Sequence, residues 1–97
     1  MSKKTTELLA ELLEIMATLR DPGRGCAWDR RQTFATIVPH TLEEAYEVAD
    51  VIERQALSEL PGELGDLFYQ ILFYCQMAKE QQLFTLTEVL QTLKDKL

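Results

Sequence analysis

The sequence predicts an all-α fold, a four-helix antiparallel bundle-like domain, on three observations. Apolar residues recur at helical spacing in four successive stretches, and Pro, Gly or Thr punctuates the joints between them. No stretch alternates with the period of two that marks a strand. The third stretch, Gly62 to about Glu80, is organised unlike the others. From Leu67 to Cys75 only Gln70 is neither apolar nor aromatic, so side chains wound at about 100° per residue point apolar in every direction. A chain of 97 residues buries only roughly 60–65% of its unfolded surface. A helix apolar all round therefore asks for more cover than one small chain supplies, which predicts a homo-oligomer built on helix packing.

In order along the chain, the first helix follows Thr5-Thr6, a plausible N-cap, and carries the stripe Leu8, Leu9, Leu12, Leu13, Ile15, Met16 and Leu19. Asp21-Pro22-Gly23 ends it. Residues 21 to 32 read as the one long loop, with Trp28 among Arg24, Asp29, Arg30 and Arg31. A lone Trp in a loop is more often a packing anchor, although an aromatic beside arginines can stack on a base while the arginines hold phosphates. Thr33 to Val38 reads as a short helical turn ending before Pro39. Thr41 then reads as the N-cap of a second helix, Leu42 to about Gln55, with Glu44 at the capping-box position. The single histidine, His40, has no second nitrogen or thiol partner and reads as a packing or capping residue. The short connection Leu57 to Gly62 makes the second and third helices an antiparallel hairpin, with Pro61 suited to a helix start. Thr85-Leu86-Thr87-Glu88 reads as a capping box for a last helix bearing Val89, Leu90, Leu93 and Leu97.

Four acids stand out against this pattern. Glu63 and Asp66 are three residues apart and share a face with Gln70, Leu67, Tyr74 and Met77, among core residues. Glu44 falls within the apolar stripe of the second helix, with Ala45, Val48, Val51 and Ile52, and Glu47 borders it. Glu43, Asp50, Glu53 and Arg54 fall largely on the solvated side. Carboxylates set among core residues without a partner are costly, so something positive has to sit between them. Two such pairs on neighbouring helices bracket a space suited to one or two divalent ions. Oxygen-only ligation favours Mg2+, or Mn2+, and the scarcity of histidine argues against zinc and against di-iron sites built on Glu-x-x-His. An open Mg2+ site completes its shell with phosphate oxygens and water, so the residues point to magnesium-dependent work on a phosphate compound without choosing the bond.

Composition narrows the partners. The net charge is −6, from 16 acidic and 10 basic residues, which leaves no basic stripe for a nucleic-acid polymer. Cys26 and Cys75 offer neither a disulfide framework nor metal spacing, and Cys75 reads as a small core hydrophobe. The start of the chain, with Ser2-Lys3-Lys4 ahead of an amphipathic stretch, lacks a signal-peptide core, and no apolar stretch approaches the ~20 residues of a membrane span. A cytoplasmic location, with no membrane partner, is the expectation. The length suits one domain spanning residues 1–97.

The pattern Leu42-Glu43-Glu44-Ala45-Tyr46-Glu47 followed by Gly62-Glu63-Leu64-Gly65-Asp66-Leu67 resembles the EExxE…ExxD signature of the MazG family. The upstream runs Leu19-Arg20-Asp21-Pro22 and Gly25-Cys26-Ala27-Trp28-Asp29, then Gln32-Thr33, are also similar, and the resemblance holds in order over residues 8 to 90. It implies an all-α nucleoside triphosphate pyrophosphohydrolase that cleaves between the α and β phosphates, giving a nucleoside monophosphate and pyrophosphate. It also implies a homodimer or dimer-based tetramer. Carried over by position, Glu44, Glu47, Glu63 and Asp66 would hold Mg2+ and Glu43 would orient water. Trp28 and Asp29 would border the nucleotide, and Arg30 or Arg31 would lie near phosphates. Ala27 stands where proline is common in that family, and relatives often continue with a basic segment past Leu97. The competing expectation is a non-catalytic dimerisation or regulatory module that binds metal or nucleotide; metal stabilisation without turnover would mark it.

Overall fold

The computed structural model describes residues 2–97, Met1 lying outside them. Five α-helices follow one another: α1 (Lys3–Leu19), α2 (Ala27–Arg31), α3 (Phe34–Glu53), α4 (Leu60–Glu80) and α5 (Leu86–Lys96). A 3-10 turn, Leu57–Glu59, leads into α4, and no strand occurs among the described residues. The all-α expectation is met, with one more helix than the sequence suggests.

The first helix begins earlier than Thr5. Ser2 is its cap, its Oγ accepting from the Thr5 backbone N–H at 3.1 Å, while the Thr6 hydroxyl donates to the Ser2 carbonyl at 3.2 Å. Both threonines thus serve inside the first turn instead of before it. At the other end Asp21 stops the helix as expected. Its carboxylate accepts from the N–H groups of Gly23 and Arg24 at 3.0 and 2.8 Å, the local bonding that makes Asp a turn former. The chain then doubles back, with Cys26 N–H donating to the Leu19 carbonyl at 3.0 Å. Gly25 is at the tightest point: a Cβ there would come inside 3.0 Å of the backbone of Leu19 and Asp21.

The expected loop over 21–32 is only partly a loop, since residues 27–31 form α2. Five residues make a poor helix alone. The Arg20 guanidinium stabilises it from outside, Nη1 donating to the Asp29 carbonyl at 2.6 Å and to that of Gln32 at 3.0 Å. These groups at and just past the end of α2 are where a cation is most favourable.

The largest departure is α3. Residues 33–38 and 42–55 do not form two pieces broken at Pro39; they form one helix with Pro39 inside it. Thr33 caps it through a reciprocal pair with Thr36, and Thr41 lies mid-helix with its hydroxyl donating to the Ile37 carbonyl at 3.2 Å. Continuity lets Ile37 reach the core, 2% exposed, and brings Thr41 to Tyr74 of α4 at 2.6 Å. Those tertiary contacts offset the proline's missing donor.

Helices α3 and α4 end alike. Gln55 and Gln82 both have φ of 59°, and Ala56 and Leu83 donate back to the Val51 and Ala78 carbonyls at 3.0 and 2.9 Å. This is the Schellman closure usually given to glycine. Pro61 lies in the first turn of α4 as expected. At α5 Thr85 is the cap, but its side chain makes no cap bond and the expected capping box with Glu88 does not form. The exposed Thr85 and Glu88 are open to solvent, which serves the first-turn donors, and Glu88 N–H reaches the Thr85 carbonyl at 3.1 Å.

The core centres on α4. Leu72, Phe73, Cys75 and Met77 bury there with Met16 of α1, Ile37 of α3 and Leu86 of α5. Burial raises the Cys75 thiol's pKa, in keeping with its reading as a core hydrophobe. Both α1 and α3 pack against α4. No helix among the described residues is long and apolar enough to cross a membrane.

Candidate metal centre

Antiparallel packing of α3 on α4 decides which acids meet. Thr41 pairs with Tyr74, so moving along α3 toward Glu44 means moving back along α4 toward Asp66 and Glu63. Carboxylate oxygens of Glu44, Glu63 and Asp66 lie within 4.8 Å of one another. Glu44 and Glu63 are partly buried and Asp66 is exposed, so the group lies at the margin of the core and is open to solvent. Among the described residues, none of the three is in an ion pair or accepts a side-chain hydrogen bond.

The electrostatics follow from that isolation. Burial first, then the charges of Asp66, Glu63, Glu43 and Glu47, raise the Glu44 carboxyl above its ordinary range. Burial, then Glu47, Asp66 and Glu59, raise that of Glu63, with Arg54 pulling weakly the other way. Like charges sharing a site without a counter-charge disfavour ionisation. A divalent cation would reverse the balance, and oxygens bound to one such ion stand about 3–4 Å apart, within reach of side-chain rotation from this arrangement. The residues fit such an ion.

Of the acids singled out by sequence, the structure gathers these three. Glu47 is exposed and outside the trio, though near enough for its charge to act on Glu63 and Glu44. Glu43 is exposed, beside Glu44 on the solvated side.

Helix α2 docks one turn away. Trp28 meets His40 edge-on at 5.5 Å and Phe73 at 6.5 Å. His40 precedes Glu44 by one helical turn, so Trp28 borders the same end of the α3–α4 seam. It is an anchor and, 42% exposed, also leaves part of its ring open. Asp29 is buried, accepting from the Tyr69 hydroxyl at 3.4 Å. Burial and then that carboxylate push the Tyr69 phenol up to about 12. Tyr69 itself follows Asp66 by three residues on α4. Arg30 donates from Nη1 to the Pro22 carbonyl at 2.7 Å, and Arg31 is exposed.

Sequence reasoning missed Tyr69 and Arg20. Tyr69 sits inside the apolar run, where nothing distinguishes it from core. Arg20 closes α1 as a cation, and no local pattern points to its partners at residues 29, 32 and 80.

A family model for the MazG nucleotide pyrophosphohydrolase domain matches residues 32–97, the stretch that holds the whole acid cluster. The chain belongs to the MazG family. A nucleoside triphosphate pyrophosphohydrolase of Escherichia coli K12 is 55% identical over 86 residues, 89% of this chain and 33% of that protein. The nucleoside triphosphate pyrophosphohydrolase/pyrophosphatase MazG of Thermotoga maritima is 40% identical over 95 residues, 98% of this chain and 37% of its own length. A nucleoside triphosphate pyrophosphohydrolase of Mycobacterium tuberculosis is 36% identical over 93 residues, 94% of this chain and 28% of its own. The chain thus spans about a third of the length of these curated relatives.

Proposed function

We propose that this chain is a Mg2+-dependent nucleoside triphosphate pyrophosphohydrolase that cleaves between the α and β phosphates, releasing a nucleoside monophosphate and pyrophosphate. The observation that carries this reading is the unpaired trio Glu44, Glu63 and Asp66 within 4.8 Å, in a chain of a family whose relatives bear that name. The trio would hold Mg2+, and Mn2+ would suit the same oxygens. Glu47 would rotate in from its exposed position to complete the set.

When bound, the ion would neutralise phosphate charge and lower the pKa of water. The protein's own groups do the rest. Glu43, beside Glu44 but turned to solvent, would orient the attacking water and take its proton. Water adds to a phosphorus, the bond to the bridging oxygen breaks, and that oxygen leaves with one product. The open part of the Trp28 ring would stack on the base. Asp29, held by Tyr69, would fix the position of α2, and Arg30 or Arg31 would face phosphates from its solvent side.

Association into a homodimer or a dimer-based tetramer forms part of the proposal. Leu64, Phe68 and Ile71 of α4 stand 48%, 37% and 39% exposed, a row at helical spacing on the side away from the core. Burying such a row is the usual source of helix-pair stability.

The test is product analysis of a mixed nucleoside triphosphate pool with the protein and Mg2+. Monophosphate plus pyrophosphate, lost with Glu63→Gln or on chelation, is the expected outcome. Absence of products while Mg2+ still raises the Tm would replace the enzyme by a metal-binding regulatory module. Absence of both effects would remove the site.

A further inference from the structure

Gln70 is buried, 7% exposed, and its side-chain Oε1 has no hydrogen-bond partner. Buried polar atoms are nearly always paired, and one that is not calls for a specific reason. Three observations narrow the reason. Gln70 lies one turn after Asp66 and two after Glu63 on the same face of α4. Long side chains on a helix lean toward its N-terminus and cover the preceding turn, here the turn that bears Asp66. One turn the other way along α4, Tyr74 pairs with Thr41 at 2.6 Å, and neither bonds the Gln70 oxygen.

The oxygen of Gln70 is thus an acceptor with no donor in the chain, on the same helix face as carboxylates that are acceptors themselves. Its donor has to come from outside the chain. Mg2+ and Mn2+ keep several waters when bound by carboxylates, and water on a cation donates both its protons outward. We infer that Gln70 is a positioning residue for the cation. Its Oε1 accepts a hydrogen bond from a water in the hydration shell of the ion held by Glu44, Glu63 and Asp66. The inference rests on the proposed cation site and adds to it a residue that touches neither the metal nor the phosphate.

The test is a Mn2+ titration of the full chain without nucleotide, followed by electron paramagnetic resonance of the free ion. Gln70→Met keeps length and flexibility while removing the acceptor, and Gln70→Glu keeps an acceptor oxygen. The expected result is a Kd about tenfold weaker for Gln70→Met, with Gln70→Glu as tight as the parent or tighter. In the absence of metal, Gln70→Met should melt no lower than the parent, since a buried oxygen without a donor has been removed. A Gln70→Met Kd within about twofold of the parent overturns the inference, because outer-shell partners ordinarily count for more than that. So does loss of affinity in Gln70→Glu equal to that in Gln70→Met, whatever the fold of the methionine variant. Glu63→Gln separates the two levels. If it weakens Mn2+ while Gln70→Met does not, the site stands and the role of Gln70 falls; if it changes nothing, both fall.

Discussion

Arg20 distributes its donors over α4, α2 and the residue that follows α2. Nε and Nη2 bind the two carboxylate oxygens of Glu80 at 3.1 and 2.6 Å, Nη1 holds the carbonyls of Asp29 and Gln32, and the guanidinium lies 5.6 Å from the centre of the Phe73 ring. Its side chain is 10% exposed, against 35% for Glu80. A forked, nearly buried contact of this kind is unlike a surface ion pair. Arg20→Met should cost about 2 kcal/mol in urea unfolding, since it leaves two part-buried carbonyls without their donor and Glu80 with Gln76 and water alone. The pair also sets a pH limb. The Arg20 hydrogen bond holds the Glu80 carboxyl below its ordinary 4.5, so its contribution is complete above 4.5 and disappears as the pH falls through the lower, folded-state value. Glu44 and Glu63 act with the opposite sign: raised above 4.5, they cost stability when ionised and return it as acidification protonates them. Without metal, thermal stability should therefore rise modestly as pH falls from 7 toward 4.5 and drop below it. Mg2+ should flatten the rise, and Arg20→Met should blunt the drop. A metal-free curve flat above 4.5 would contradict the burial and mutual repulsion that raise these two acids. At this scale the sequence was informative about the trio, because an acid inside an apolar stripe is conspicuous. It was silent about Arg20, whose partners come from residues 29, 32 and 80.

Single elements teach a different lesson. The bounds of α4 and α5 were legible to within a residue or two, since their apolar spacing, proline and threonine signals agree. The unity of α3 was not, because the local rule that proline disfavours helix in the residue before it competes with contacts, Ile37 to the core and Thr41 to Tyr74, that no local pattern reveals. For the same reason α2 read as loop: its stabilising partner is outside it. The ends of α3 and α4 carry a correctable strain. Gln55 and Gln82 hold a left-handed backbone at φ 59°, where a Cβ is penalised and glycine is not. Gln55→Gly and Gln82→Gly should each stabilise by about 0.5–1 kcal/mol, the relief being partly offset by greater freedom in the unfolded chain. Destabilisation in both, measured by urea melts, would mean that the glutamine side chains carry contacts outweighing the backbone term.

For the molecule as a whole, the bulk of the sequence-level picture holds: helices throughout, a core centred on α4, and the acids Glu44, Glu63 and Asp66 brought to one place. What the pattern of one chain leaves unspecified is which apolar faces meet each other and which stay open. A helix apolar all round gives no preference among its sides. The structure resolves this by turning Leu72, Phe73, Cys75 and Met77 inward and leaving Leu64, Phe68 and Ile71 outside. That outer row shares α4 with Glu63 and Asp66, and Leu64 lies between them in the chain. On the proposed association, the metal-binding turn and the partner-binding row are therefore parts of one rigid rod. Dilution then becomes an inhibitor. Specific activity should fall as the protein is diluted through its dissociation range, and bound nucleotide with Mg2+ should shift that range to lower concentration by mass action. Specific activity constant down to concentrations where sedimentation shows only monomer would uncouple the two sides of the helix.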